Sequence, residues 1–187
     1  MPSPPVLHGA MSYLMQIISR TWLLTWTTKG TWLPGDKRGW VKGDRDNQSG
    51  LFHEFPSEGL RVWSLQQMTG KPVWLNKEQA GQVLASFLET ANIQAWWIGA
   101  IAVMANHVHL VVTVGGDPEP GLLIRRFKNF CSRSLNIYWG KQDWWTASGS
   151  NRQLSDQNAI NAAMQYVIEQ FEALAIYQSQ NPGLQSP

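Results

Sequence analysis

His107 and His109 stand two residues apart in the run ANHVHLVVTV, Ala105 to Val114. Side chains alternate along a strand, so His107, His109, Val111 and Thr113 share one face while Val108, Leu110, Val112 and Val114 share the other. The all-apolar face has to pack against helices. That sends the two imidazoles to the opposite, open face with their β-carbons roughly 7 Å apart. At this separation they can converge on one divalent ion, each needing an acceptor at its remaining ring nitrogen. Two polar residues on a half-exposed strand are also commonplace, so a site needs a further member.

The last helical stretch offers one. Counting from Ile160 at about 100° per residue, Ala163, Met164, Val167, Ile168, Phe171 and Leu174 fall in a single apolar stripe. Tyr166 and Gln170 lie one turn apart at its edge, so a phenol and an amide oxygen emerge side by side. The plainer reading is a boundary tyrosine with its hydroxyl in water beside a solvated glutamine.

The elements that must position these groups follow from pattern. The 187 residues fit one compact domain, residues 11–178, with flexible segments at 1–10 and 179–187. Thr21 to Thr28 (TWLLTWTT) reads as a first strand. Residues 30–59 form an inserted loop, too polar for a core and too long for a simple connection. Asn76 and Gln79 make a capping-box pair ahead of Val83, Leu84, Phe87 and Leu88 at helical spacing. Ala95–Val103 and His107–Val114 pair as a hairpin, the stretch from Gly121 to Gly140 is an amphipathic helix, and Trp144–Leu154 holds a short strand. Ser155 then caps a long helix running to Tyr177. This order predicts an α+β fold: a ferredoxin-like or RRM-like antiparallel sheet with helices on one face and a C-terminal helix carrying Tyr166.

Charge gives less. With 15 Lys+Arg against 13 Asp+Glu the net charge of +2 compels no polyanionic partner, and only its distribution can decide. Arg125, Arg126, Lys128 and Arg133 crowd one helix, as a phosphate track or as a solvated face. Trp32 and Trp40, set among Lys37, Arg38 and Lys42, can stack on unpaired bases or anchor their own loop. Cys131 is alone, which excludes an intramolecular disulfide and points to a reducing compartment. Arg20 interrupts the hydrophobic stretch from Met11 to Thr28 and no small-residue cleavage site follows, so neither a signal peptide nor a membrane span is expected.

ANHVHLVV resembles the His-hydrophobic-His motif of the single-tyrosine (HUH) transposases, particularly the REP-associated tyrosine transposases and their insertion-sequence relatives. YVIEQ, Tyr166 to Gln170, is similar to that family's Tyr-x-x-x-Gln helix. GTWLPGDKRGWV, from Gly30, and WWTASGSNRQL, from Trp144, are similar to further stretches in one branch of it. The likeness runs from about Thr21 to Gln170. It implies that Tyr166 is the nucleophile and that His107, His109 and Gln170 hold Mg²⁺ or Mn²⁺ with positions left open for phosphate and water. It further implies cleavage and rejoining of DNA through a 5′-phosphotyrosine with a free 3′-OH. The partner is then single-stranded or hairpin DNA, because a phosphodiester in a smooth duplex cannot easily reach a concave site. The setting is cytoplasmic, at the nucleoid. Whether Tyr166 works with its own histidines or with those of a second subunit, and hence whether the chain is a homodimer, stays open in the sequence. Two rivals belong to other classes. A histidine-triad nucleotide hydrolase needs a third alternating histidine, and Val111 occupies that place. A domesticated protein that grips a DNA hairpin without transposition activity would not need Tyr166, His107, His109 and Gln170 intact.

Overall fold

The computed structural model describes residues 19–37, 40–41 and 53–180. The expected N-terminal segment, Arg38, the side chain of Trp40, much of the inserted loop and the end of the expected tail lie outside the described residues. In chain order the elements are β1 (Ser19–Thr27), β2 (Trp40–Val41), β3 (His53–Glu54), α1 (Glu58–Gln67) and α2 (Lys77–Ile93). The hairpin β4 (Trp97–Val103) and β5 (His107–Gly115) follows, then α3 (Pro120–Trp139), β6 (Ser150–Leu154), α4 (Gln157–Ile168) and β7 (Ala175–Gln178). The main sheet is antiparallel throughout, in the order β6-β1-β5-β4-β7, and β2 pairs with β3 apart from it. Leaving β7 aside, β1-α2-β4-β5-α3-β6 is the βαββαβ plan that the sequence predicts.

Each element has a local cause. Trp22, Leu24 and Trp26 alternate with threonines and Leu23 along β1, which turns three large apolar groups to one side. The capping box of α2 forms in both directions: Asn76 Oδ1 accepts from the Gln79 amide at 2.9 Å and Gln79 Oε1 accepts from the Asn76 amide at 3.0 Å. Pro120 opens α3, where its missing N–H costs no helical hydrogen bond. Across the first face of the sheet α2 and α3 pack on β1 and β5, with Phe87 stacked 5.4 Å from both Trp26 and Phe127.

The second face is not open. α4 lies across it, seating Ala163, Met164 and Val167 on Ala100, Ala102 and Val111. Small residues let the helix sit close. At the β-bulge of β4 a side chain on Gly99 would come within 3.1 Å of the Met164 sulfur. So helices cover both faces, and the helix carrying Tyr166 covers the histidines' side.

Three further departures have physical reasons. Asp156, not Ser155, is the N-cap of α4, its carboxylate accepting from the Ala159 amide at 2.8 Å. The helix ends at Ile168 although the apolar period continues, since Ala175–Gln178 gains a full ladder by pairing with β4. Phe171 is left fully exposed as a result. Within the expected loop, Ser57 caps α1, and Gly35 takes φ +87° where any side chain would strike the Ser57 carbonyl. No helix among the described residues is long and apolar enough to cross a membrane.

Candidate active site

Register fixes the site. Ser150, Thr25, His109, Ala102 and Ile176 form one row across the sheet, and Thr27 stands opposite His107 in the next. The imidazoles of His107 and His109 meet edge to face with centroids 4.8 Å apart. The ring of Tyr166, from α4 of the same chain, approaches His109 at 5.2 Å in the same T-shaped fashion. Tyr166 itself is half exposed, while His109 beneath it is buried.

Both rings are held by oxygens. His107 Nδ1 donates to Asn106 Oδ1 at 2.6 Å, and since an amide carbonyl only accepts, the neutral ring carries its lone pair on Nε2. His109 Nδ1 lies 2.8 Å from Thr25 Oγ1, a hydroxyl able to accept in the same sense. Burial, and then the proximity of His107, depress the His109 pKa to about 4, so at neutral pH the ring is an uncharged ligand or hydrogen-bond partner. A tautomer set by an outer oxygen, as at His107, and a neutral ring, as at His109, are each what a divalent ion requires of an imidazole ligand.

Gln170 is placed otherwise than on the expected helical turn. It lies past the end of α4, and its Nε2 donates to the Tyr166 carbonyl at 2.9 Å, tying it to the tyrosine backbone. Among the described residues no three His, Cys, Asp or Glu side chains form a metal cluster, so an ion between the two imidazoles would need a further donor of another kind.

The expected DNA contacts are scattered, and α3 lies on the opposite face of the sheet from the histidines. Lys128, expected at a phosphate, is buried: its ammonium donates to the carbonyls of Thr146 and Ser148, both at 2.8 Å. Arg126 is exposed and bonds Gln94 at 2.7 Å, and exposed Arg133 sits over the Phe130 ring. Arg125 lines an open groove of about 980 Å³ between α3 and residues 142–151, with Lys29 and Asn129. Lys37 and Trp32 are on the surface, and Arg38 and the Trp40 side chain lie outside the described residues. Sequence reasoning did not single out Thr25, though the alternation of Thr21, Thr25 and Thr27 puts it on the histidines' face, nor Asn106 as the partner of His107.

No protein-family model and no curated protein matches this chain. Among solved structures it is similar to a REP-associated tyrosine transposase bound to a REP hairpin, at 13% identity and a TM-score of 0.44, over 79% of this chain and 64% of that one. It is also similar to a Deinococcus radiodurans protein provisionally assigned as a transposase, at 17% identity and a TM-score of 0.45, over 81% of this chain and 90% of that one. Both likenesses are distant, and what the chain does has to be read from its own side chains.

Proposed function

We propose that the chain is a metal-dependent single-strand DNA transposase that cuts and rejoins DNA through Tyr166. The observation that carries this reading is the Tyr166 ring set against His109, with His107 beside it and both imidazoles held at Nδ1. A phenol with pKa near 10 is a poor nucleophile at neutral pH, so it needs a substrate held in line and charge stabilisation at phosphorus. His107 and His109 through Nε2, with Gln170 through Oε1, would hold Mg²⁺ or Mn²⁺. Bound there, such an ion would supply electrostatic stabilisation of the phosphate's growing charge. The Tyr166 oxygen attacks phosphorus, the bond to the 3′ oxygen breaks and that oxygen takes a proton from water, while the phenolic proton is lost to water at the exposed edge of the ring. The products are a 5′-phosphotyrosine and a free 3′-OH, and the reverse attack of a 3′-OH rejoins DNA. α4 keeps the attacking group over the histidines, and Thr25 and Asn106 keep the two rings oriented.

The test is a covalent adduct. Single-stranded DNA carrying a hairpin, incubated with the protein and Mn²⁺ and run on a denaturing gel, gives a protein-linked band. EDTA removes the band, and Mn²⁺ restores it better in Gln170→Ala than in His107→Ala or His109→Ala, because a neutral amide is the weakest of the three ligands. Cutting at full rate in EDTA by all three variants would overturn the reading.

A further inference from the structure

The histidine face carries one cation that the site as described does not use. Arg152 pairs with Leu23 in the β6–β1 ladder, two residues from the pairing of Ser150 with Thr25. Its orientation is fixed by its neighbour of the same parity, Leu154, which packs into the cluster beneath α4 together with Leu23. Arg152 therefore shares the face of His107 and His109. Every other strand residue described on this face is uncharged apart from the two histidines, among them Thr21, Thr25, Thr27 and Thr113. Arg152 is exposed, and among the described residues it has no ion pair and no hydrogen bond. Asp156, four residues along, is committed to capping α4.

The layout is directional. α4 packs on Leu154 and Leu23 as well as on Ala100, Ala102 and Val111, and from it Tyr166 meets His109, while Thr25, Thr27, Ser150 and Arg152 belong to β1 and β6, the strands on the other side of β5 from β4. Two ladder spacings and one step of register separate Arg152 from His109, roughly 10 Å across the strands and 7 Å along them. An extended arginine spans most of that gap. A guanidinium offers five donors in a planar fork that matches a phosphate, which a lone threonine row cannot supply.

We propose that Arg152 binds a phosphate of the DNA strand beside the one attacked by Tyr166, fixing the strand across the two histidines. This rests on the strand-cleavage reading and names a contact that holds its substrate. The test uses the full chain and single-stranded oligonucleotides in which one phosphate at a time is replaced by a neutral methylphosphonate. Binding is followed by fluorescence anisotropy for the unaltered protein, Arg152→Ala and Arg152→Lys. Arg152→Ala weakens binding on the order of tenfold, with an unchanged melting temperature since the side chain is exposed. Neutralising one phosphate next to the cut weakens the unaltered protein by a similar factor and Arg152→Ala no further. Arg152→Lys recovers part of the loss, because it restores a point charge without the fork. Equal losses in both proteins at every position, or undiminished binding by Arg152→Ala, would overturn the proposal. The adduct gel with the unaltered protein reads the cleavage mechanism separately: an adduct with an additive scan sinks Arg152 alone, and a non-additive position without an adduct sinks cleavage alone.

Discussion

The two faces of the sheet are built from different materials. Beneath α2 and α3, large side chains interlock: Trp26, Phe87, Phe127, Leu24 and Leu110 are all but inaccessible to solvent. Beneath α4 the contact is made by Ala100, Ala102 and Ala163 with Met164 and Val167, and beside it the face turns polar at Thr25, Thr27, His107 and His109. The first face holds most of the apolar burial that stabilises the fold. The second gives up bulk so that a short helix can bring one phenol to two imidazoles, and the difference separates stability from chemistry by the thickness of one sheet.

The separation can be broken by experiment. The largest effect belongs to Tyr166→Phe, which removes only the proposed attacking oxygen of a half-exposed side chain. The adduct vanishes while the melting temperature and DNA affinity stay nearly as they were. A persistent adduct would move the nucleophile elsewhere, and a collapsed fold would mean that the two faces are not separable. On the other side, Phe87→Ala costs about 3–5 kcal/mol in urea unfolding, with adduct formation per folded molecule unchanged.

A matched pair sharpens the contrast. Ala102→Leu and Ala91→Leu each force the same bulk into a fully packed position, one under α4 and one in the α2 layer. Both lose about 1–3 kcal/mol of stability. Only Ala102→Leu lifts Tyr166 away from His109, and a shift near 1 Å there lowers the adduct rate on the order of a hundredfold. Equal effects on the adduct would show that the faces communicate.

The smallest effect is a pH dependence on the stability face. Burial depresses the Lys128 pKa to about 8, against about 10.4 in an unfolded chain. Between these values the unfolded state holds a proton that the folded state has released, so this group's contribution to stability rises with pH across the window, at up to about 1.4 kcal/mol per pH unit. Buried Cys131, whose thiol is pushed above its ordinary range, works in the opposite sense once the unfolded thiol ionises. The measurement is therefore the unfolding free energy of the unaltered protein minus that of Lys128→Met, which falls as pH drops from about 10 to 8 and is flat below. A constant difference would mean that Lys128 keeps its proton throughout.

The fold was legible where periodicity and capping agree. The alternation of His107-Val108-His109-Leu110 gave the strand and its two faces, Asn76 with Gln79 gave the start of α2, and the order of elements gave the βαββαβ plan. The end of α4 was not legible, because the stripe from Ile160 continues through Phe171 and Leu174 without a glycine or proline to stop it. What ends the helix is a non-local gain, the pairing of Ala175–Gln178 with β4. α1 was hidden in the same way, with Gly59 in its first turn and a polar neighbourhood. At the site, the histidine pair and Tyr166 could be picked out and the structure brings them together. Arg152 could not, since β6 is a short polar edge strand whose side chains acquire a face only through their register with β1.

α4 is strung between β6 and β7, which are the two outer strands of the same sheet. It works as a bar fastened at both ends. On the proposed mechanism, carrying a DNA end tethered to Tyr166 any real distance from His109 requires one fastening to open. β7, four residues long and paired only with β4, is the weaker latch. The speed at which cut ends trade places would then follow the opening rate of that latch, a quantity readable from amide exchange at Ile176 to Gln178 long before any DNA is added.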